Sequence, residues 1–121
     1  MDLPRLKILL VEDETLVAFL LEALLEDLGC RQVRHAASLA QGLAALDAAR
    51  PDAAILDINL GGQPVFPLAE RLEQAGVPIV FASGYGAQGL PPRWAGRPLV
   101  DKPYEVSAVT AALRRALAEQ P

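Results

Sequence analysis

The chain is poor in the groups that dominate many specialised proteins. It has one cysteine, Cys30, so no internal disulfide can form, and a reducing compartment is the simple expectation. It has no basic surplus. Fifteen acidic and eleven basic residues leave a formal charge of −4, which argues against a nucleic-acid partner, since such a surface needs a stripe of Lys and Arg. No run approaches the ~20 apolar residues of a membrane span. The apolar stretch behind Met1-Asp2-Leu3-Pro4-Arg5 is too short for the core of a signal peptide. A cytoplasmic protein with no membrane partner is expected. Repeats, linkers and low-complexity tracts are also missing, so residues 1–121 read as one domain.

What is present suffices for a core: 52% of residues are apolar and 21% charged, the balance of a folded chain. The apolar residues fall into short continuous runs. They do not alternate with polar ones, so they predict strands covered on both faces. Each run stops on polar groups. Ile8-Leu9-Leu10-Val11 stops on Glu12-Asp13-Glu14, and Ala53-Ala54-Ile55-Leu56 stops on Asp57. Ile79-Val80-Phe81-Ala82 stops on Ser83, and Leu99-Val100 stops on Asp101-Lys102-Pro103.

Helical patterns lie between the runs. Residues 14–28 carry Leu16, Phe19, Leu20, Ala23, Leu24 and Leu28 at helical spacing, with Gly29 as a stop. Ser38 is an expected N-cap for a helix holding Leu39, Leu43 and Leu46. Residues 67–74 predict a third helix with Leu68 and Leu72 inward. Residues 105–119 predict a last one, with Val106, Val109, Leu113 and Leu117 on one face. Between Gly86 and Pro98, three glycines and three prolines oppose a regular fourth helix, so a loop or single turn is expected. The alternation predicts a flavodoxin-like α/β domain: a doubly wound, parallel, five-stranded sheet of order 2-1-3-4-5 with a reduced or irregular fourth helix. Ligands then sit at the carboxyl ends of the first and third strands, where the winding reverses.

That placement gathers Glu12, Asp13 and Asp57 at one edge. Three carboxylates repel one another, and at least one should hold a raised pKa unless a cation joins them. Oxygen-only ligands favour Mg2+. Asp13, Asp57 and the backbone carbonyl of Asn59 are the expected direct ligands, with Glu12 acting through water. Asp57 is then positioned to attack a phosphoryl group and form an acyl phosphate. Lys102 supplies a point positive charge to the phosphoryl oxygens, and Ser83 a hydroxyl donor. Gly84 leaves the site open. A cis bond before Pro103 would aim Lys102 inward.

Glu12-Asp13, Asp57, Ser83 and Lys102-Pro103 together resemble, in order and spacing, the receiver domain of two-component response regulators. The resemblance covers about Lys7 to Glu119. It implies that Asp57 accepts phosphate from a histidine kinase or phosphotransfer protein, that Glu12 and Asp13 bind magnesium, and that Ser83 and Lys102 read the phosphoryl group. Pro78-Ile79-Val80-Phe81-Ala82-Ser83-Gly84-Tyr85 is similar to the signature of the single-domain Phe-Ala-Thr-Gly-Tyr (FAT GUY) subfamily, and Asp57-Ile58-Asn59-Leu60-Gly61-Gly62 fits the same group. Ser83 stands for the usual Thr and Ile79 for a Phe. Leu99 occupies the position where an aromatic switch residue is common, and Tyr85 is expected to take over that role. The fourth helix is reduced in this subfamily too.

The resemblance further implies a stand-alone phosphoacceptor without an output domain, signalling through an unidentified downstream protein. It would be a monomer or weak homodimer, and not an enzyme with a separate substrate. A phosphorylation-independent pseudo-receiver is the alternative, and a metabolic enzyme on the same fold is a third. Three lone residues carry bland readings. His35 is structural or exposed, Cys30 is a small apolar residue near a helix end, and Trp94 is either a packing anchor or a partner contact.

Overall fold

Strands that stay apolar on both faces need helices on both sides, and the chain supplies them. The computed structural model describes residues 5–84 and 89–119; Tyr85 lies outside the described residues. The order is β1 (Lys7–Val11), α1 (Thr15–Asp27), β2 (Gln32–Ala36), α2 (Leu39–Ala48), β3 (Ala53–Asp57), β4 (Asn59–Leu60), β5 (Gln63–Pro64), α3 (Phe66–Gln74), β6 (Ile79–Ser83), β7 (Leu99–Asp101) and α4 (Val106–Ala118). The main sheet runs β2-β1-β3-β6-β7, all parallel, which is the expected 2-1-3-4-5 order. No described helix is long and apolar enough to cross a membrane.

Successive side chains of a strand point to opposite faces. Ile8, Leu10, Ile55 and Val80 accordingly join α1 and α4 in one core layer. Leu9, Val11, Leu56 and Phe81 join α2 and α3 in the other. Cys30 belongs to the first layer, where burial pushes its thiol pKa up and keeps it a small apolar group. Ser38 caps α2 as expected, its hydroxyl accepting from the Gln41 N–H at 3.1 Å. Winding reverses between β1 and β3, so their carboxyl ends flank the crevice.

Three features differ from the sequence reading. Helix α1 buries Ala18, Leu21 and Leu25, while Leu16, Phe19 and Leu20 are exposed, at 72%, 67% and 65%. The first residues of that run therefore face outward, while Leu24 and Leu28 pack against the core. The helix is apolar nearly all round, with polar residues only at Thr15, Glu22, Glu26 and Asp27, so periodicity had two stripes to choose from. Val106 in α4 is likewise exposed, and Ala116 is buried beside Val109 and Leu113. The Gly-rich segment after Asp57 is a small antiparallel hairpin, β4–β5. Gly61 and Gly62 form its two-residue turn at φ 59° and 88°, the left-handed values such hairpins need.

Residues 89–98 contain no α-helix. A 3-10 turn, Pro92–Trp94, stands there instead, as the Gly and Pro content predicts. Trp94 is a packing anchor, 2% exposed, stacked on Phe66 at 6.4 Å and edge-on to Phe81 at 5.7 Å. The Arg93 guanidinium lies 4.2 Å from its ring centre, and Arg97 lies at 5.2 Å on the same ring. Both arginines pair with Glu73 of α3. One aromatic ring and a two-arginine clasp thus cover the sheet where a helix would otherwise lie.

These assignments are checked by urea unfolding. Trp94→Ala is expected to cost about 3–5 kcal/mol and Leu21→Ala about 2–5 kcal/mol. Phe19→Ser should stay within about 0.5 kcal/mol of the parent, because its ring is already in water. A Phe19→Ser loss as large as that of Leu21→Ala would contradict the outward placement of Phe19.

Candidate functional site

Parallel strands that end together deliver whatever follows them to one edge. Val11 is followed by Glu12 and Asp13, β3 ends on Asp57, β6 ends on Ser83, and β7 is followed by Lys102. The backbone ties the last two ends, since the Lys102 N–H donates to the Ser83 carbonyl at 3.0 Å. The result is a cleft of about 560 Å3 lined by Asp13, Glu14, Asp57, Asn59, Ser83 and Lys102, among others. A second cleft of about 450 Å3, at the opposite end of the sheet beside Arg50, Asp52 and Arg114, has no comparable acid cluster.

Burial is uneven across the cluster. Glu12 is fully buried and Asp57 nearly so, while Asp13 is open to solvent. Lys102 reaches into the cluster and is shared. Its Nζ donates to Glu12 Oε2 at 2.8 Å and to Asp57 Oδ2 at 3.0 Å, and lies 3.8 Å from Glu14. Burial opposes its charge, but hydrogen bonds to Glu12 and Asp57 outweigh burial and raise its pKa. Glu12 shows the other side of the same shortage. Burial, with the Asp57 charge adding, raises its pKa despite the hydrogen bond from Lys102. One ammonium divided among several carboxylates holds itself charged and leaves them undercompensated.

Glu12, Asp13 and Asp57 each offer a carboxylate oxygen within 4.8 Å of the others. Hard oxygen donors with surplus negative charge fit Mg2+. Asn59 is placed to contribute. Its hairpin bonds through Ile58–Val65 and Leu60–Gln63, so its own backbone groups point out of the ladder. Its N–H points to Asp57 Oδ1 at 3.3 Å, while its side-chain oxygen accepts from the Gly62 N–H at 2.8 Å.

Ser83 lies at the cleft wall, and the Lys102–Pro103 bond is cis, as the sequence reading expects. A Cβ on Gly84 would meet nothing within 4 Å among the described residues. On Gly89, also at the cleft, a Cβ would press on Ile58 Cγ2 at 3.3 Å. The two contacts that sequence reasoning missed are both to Glu12. His35 Nε2 lies 2.6 Å from the Glu12 carbonyl oxygen, which makes Nε2 the protonated nitrogen, and Tyr104 points its hydroxyl toward Oε2 at 3.5 Å. Tyr104 directly follows Lys102-Pro103, the one sequence signal that could have drawn attention to it.

A parallel 2-1-3-4-5 sheet with an acid cluster and a lysine at the ends of its strands has the arrangement of a receiver domain. The chain belongs to the response regulator receiver domain family, which it matches over residues 8–94. The phyllosphere-induced regulator PhyR of Methylorubrum extorquens is 31% identical over 118 residues, covering 92% of this chain. This chain spans only 43% of the length of PhyR. The solution structure of SdrG from Sphingomonas melonis Fr1 is similar throughout. Identity is 39% and the TM-score 0.85, over 97% of this chain and 99% of SdrG. The BeF3-activated conformation of SdrG gives a TM-score of 0.80 at 39% identity, over 92% of this chain and 95% of that one. The FAT GUY subfamily fits these SdrG- and PhyR-like relatives.

The undercompensated acid predicts a pH signature. A carboxyl whose folded pKa lies above its unfolded value carries no penalty below the unfolded value, and the penalty grows as pH rises through the folded one. Glu12→Gln keeps an acceptor for Lys102 and loses the charge. It should unfold at higher urea than the parent near about pH 7, with the gap closing toward about pH 4, where both forms are neutral. Urea midpoints across that range check this; a variant weaker than the parent at neutral pH would contradict it.

Proposed function

We propose that the protein is a receiver whose Asp57 accepts a phosphoryl group in a magnesium-dependent reaction. The observation that carries this reading is the single cluster in which Asp57 lies 3.0 Å from Lys102 and within 4.8 Å of Glu12 and Asp13. Catalysis of this transfer is positioning and charge neutralisation rather than covalent help. An Asp57 carboxylate oxygen attacks the phosphorus of a phosphohistidine, a P–O bond forms, and the P–N bond breaks, returning the imidazole to the donor. Lys102 turns its ammonium to a phosphoryl oxygen, and Ser83 donates its hydroxyl to another. Glu12, Asp13, Asp57 and the Asn59 carbonyl hold Mg2+, which supplies charge neutralisation when bound. Hydrolysis of the acyl phosphate resets the site. The protein is thus a phosphoacceptor and not an enzyme that turns over a separate substrate.

The donor is a histidine kinase or phosphotransfer protein, and the signal passes on to a downstream protein by contact. The outward apolar face of α1, whose Leu20 borders Lys102, Pro103 and Tyr104, supports a protein partner at this edge. The BeF3-activated conformation of SdrG, at 39% identity, supports a phosphoryl-dependent switch.

Incubation with acetyl phosphate and Mg2+, followed by intact mass measurement, should add one phosphoryl group to the parent and none to Asp57→Asn. Chelation of the metal should abolish the addition. Labelling that persists in folded Asp57→Asn would remove Asp57 from the role, and an unlabelled parent with no magnesium affinity would favour a phosphorylation-independent module.

A further inference from the structure

Lys102 faces a conflict that the phosphoacceptor reading makes explicit. Unphosphorylated, its Nζ serves Glu12 and Asp57 together, at 2.8 and 3.0 Å. A phosphoryl group on Asp57 requires the same ammonium. Glu12 is fully buried, so bulk solvent cannot replace a donor that it loses. Its Oε1 keeps the Glu14 N–H at 3.2 Å, but Oε2 depends on Lys102. A buried carboxylate oxygen that loses its donor carries the full desolvation penalty.

One other donor is in reach of Oε2 among the described residues, the Tyr104 hydroxyl at 3.5 Å. That separation is beyond the ~2.5–3.0 Å of a good O–H···O bond, so the contact is weak while Lys102 is in place. The ring is half-buried against the α1–α4 core layer, which aims the hydroxyl at Glu12 and limits where else it can go. We propose that Tyr104 is a positioning residue that replaces Lys102: its hydroxyl closes onto Glu12 Oε2 when Lys102 is drawn to a phosphoryl group on Asp57. The swap keeps the buried acid hydrogen-bonded and holds its carboxylate in place for the metal.

The inference rests on the phosphoacceptor reading, and Tyr104→Phe tests it because only the hydroxyl is removed. Beryllofluoride with Mg2+ serves as the phosphoryl mimic. The apparent affinity for the mimic should fall about tenfold in Tyr104→Phe, the size expected for one hydrogen bond to a charged group. Magnesium affinity without the mimic should change by less than about twofold, because the 3.5 Å contact contributes little there. A second readout does not need phosphoryl chemistry. In Lys102→Ala without any mimic, the Tyr104 ring resonances should already shift to positions marking a shortened hydrogen bond to Glu12. Equal mimic affinity in parent and Tyr104→Phe, or unmoved Tyr104 resonances in Lys102→Ala, would overturn the proposal while leaving Asp57 as phosphoacceptor. A parent that takes up neither beryllofluoride nor acetyl phosphate would overturn both.

Discussion

One ammonium stands among four carboxylates, and the site is organised by that shortage of positive charge. Lys102 cannot neutralise Glu12, Asp13, Glu14 and Asp57 together, and its bonds to Glu12 and Asp57 leave Asp13 to solvent. Burial, with the Asp57 charge adding to it, raises the pKa of Glu12, while hydrogen bonds to Glu12 and Asp57 raise that of Lys102. A folded protein does not retain such a cluster for stability, since buried charges without full compensation are destabilising. The carboxylate oxygens of Glu12, Asp13 and Asp57, within 4.8 Å of one another, are a donor set that fits a hard cation.

The rest of the fold delivers and steadies these groups. Parallel strands bring four chain ends to one edge, and the backbone bond from Lys102 to Ser83 keeps two of them in step. The β4–β5 hairpin turns the Asn59 backbone toward Asp57. Away from the crevice, Trp94 and its two arginines seal the sheet with a turn instead of a helix. On the other side, α1 offers a bare apolar face next to the acids, a surface better suited to another protein than to water.

Much of this was legible in the sequence, and the failures are specific. Strand ends were readable because continuous apolar runs stopped abruptly on charged or hydroxyl residues, and strand order followed from the alternation of strand and helix. Glu12, Asp13, Asp57, Ser83 and Lys102 therefore converge where expected. The inward face of α1 was not legible because leucines occur on both sides of the helix, and only packing decides which side meets the sheet. The hairpin hid inside a Gly-rich loop because two-residue strands have no periodicity to detect. Tyr104 and His35 were missed for a different reason: their contacts to Glu12 span 92 and 23 residues, a relation that local pattern does not contain. Tyr85, expected to carry an aromatic switch, lies outside the described residues.

The central claim is that the acid cluster at Asp57 is a selective cation site and not merely a charged surface. A ligand that binds only the folded state raises stability by mass action, whereas salt screening acts on all exposed charges alike. The most direct test is therefore the thermal unfolding midpoint with magnesium chloride against sodium chloride at equal ionic strength. The account predicts a clear additional rise with magnesium that is lost in Asp13→Asn. Equal midpoints in the two salts would contradict it.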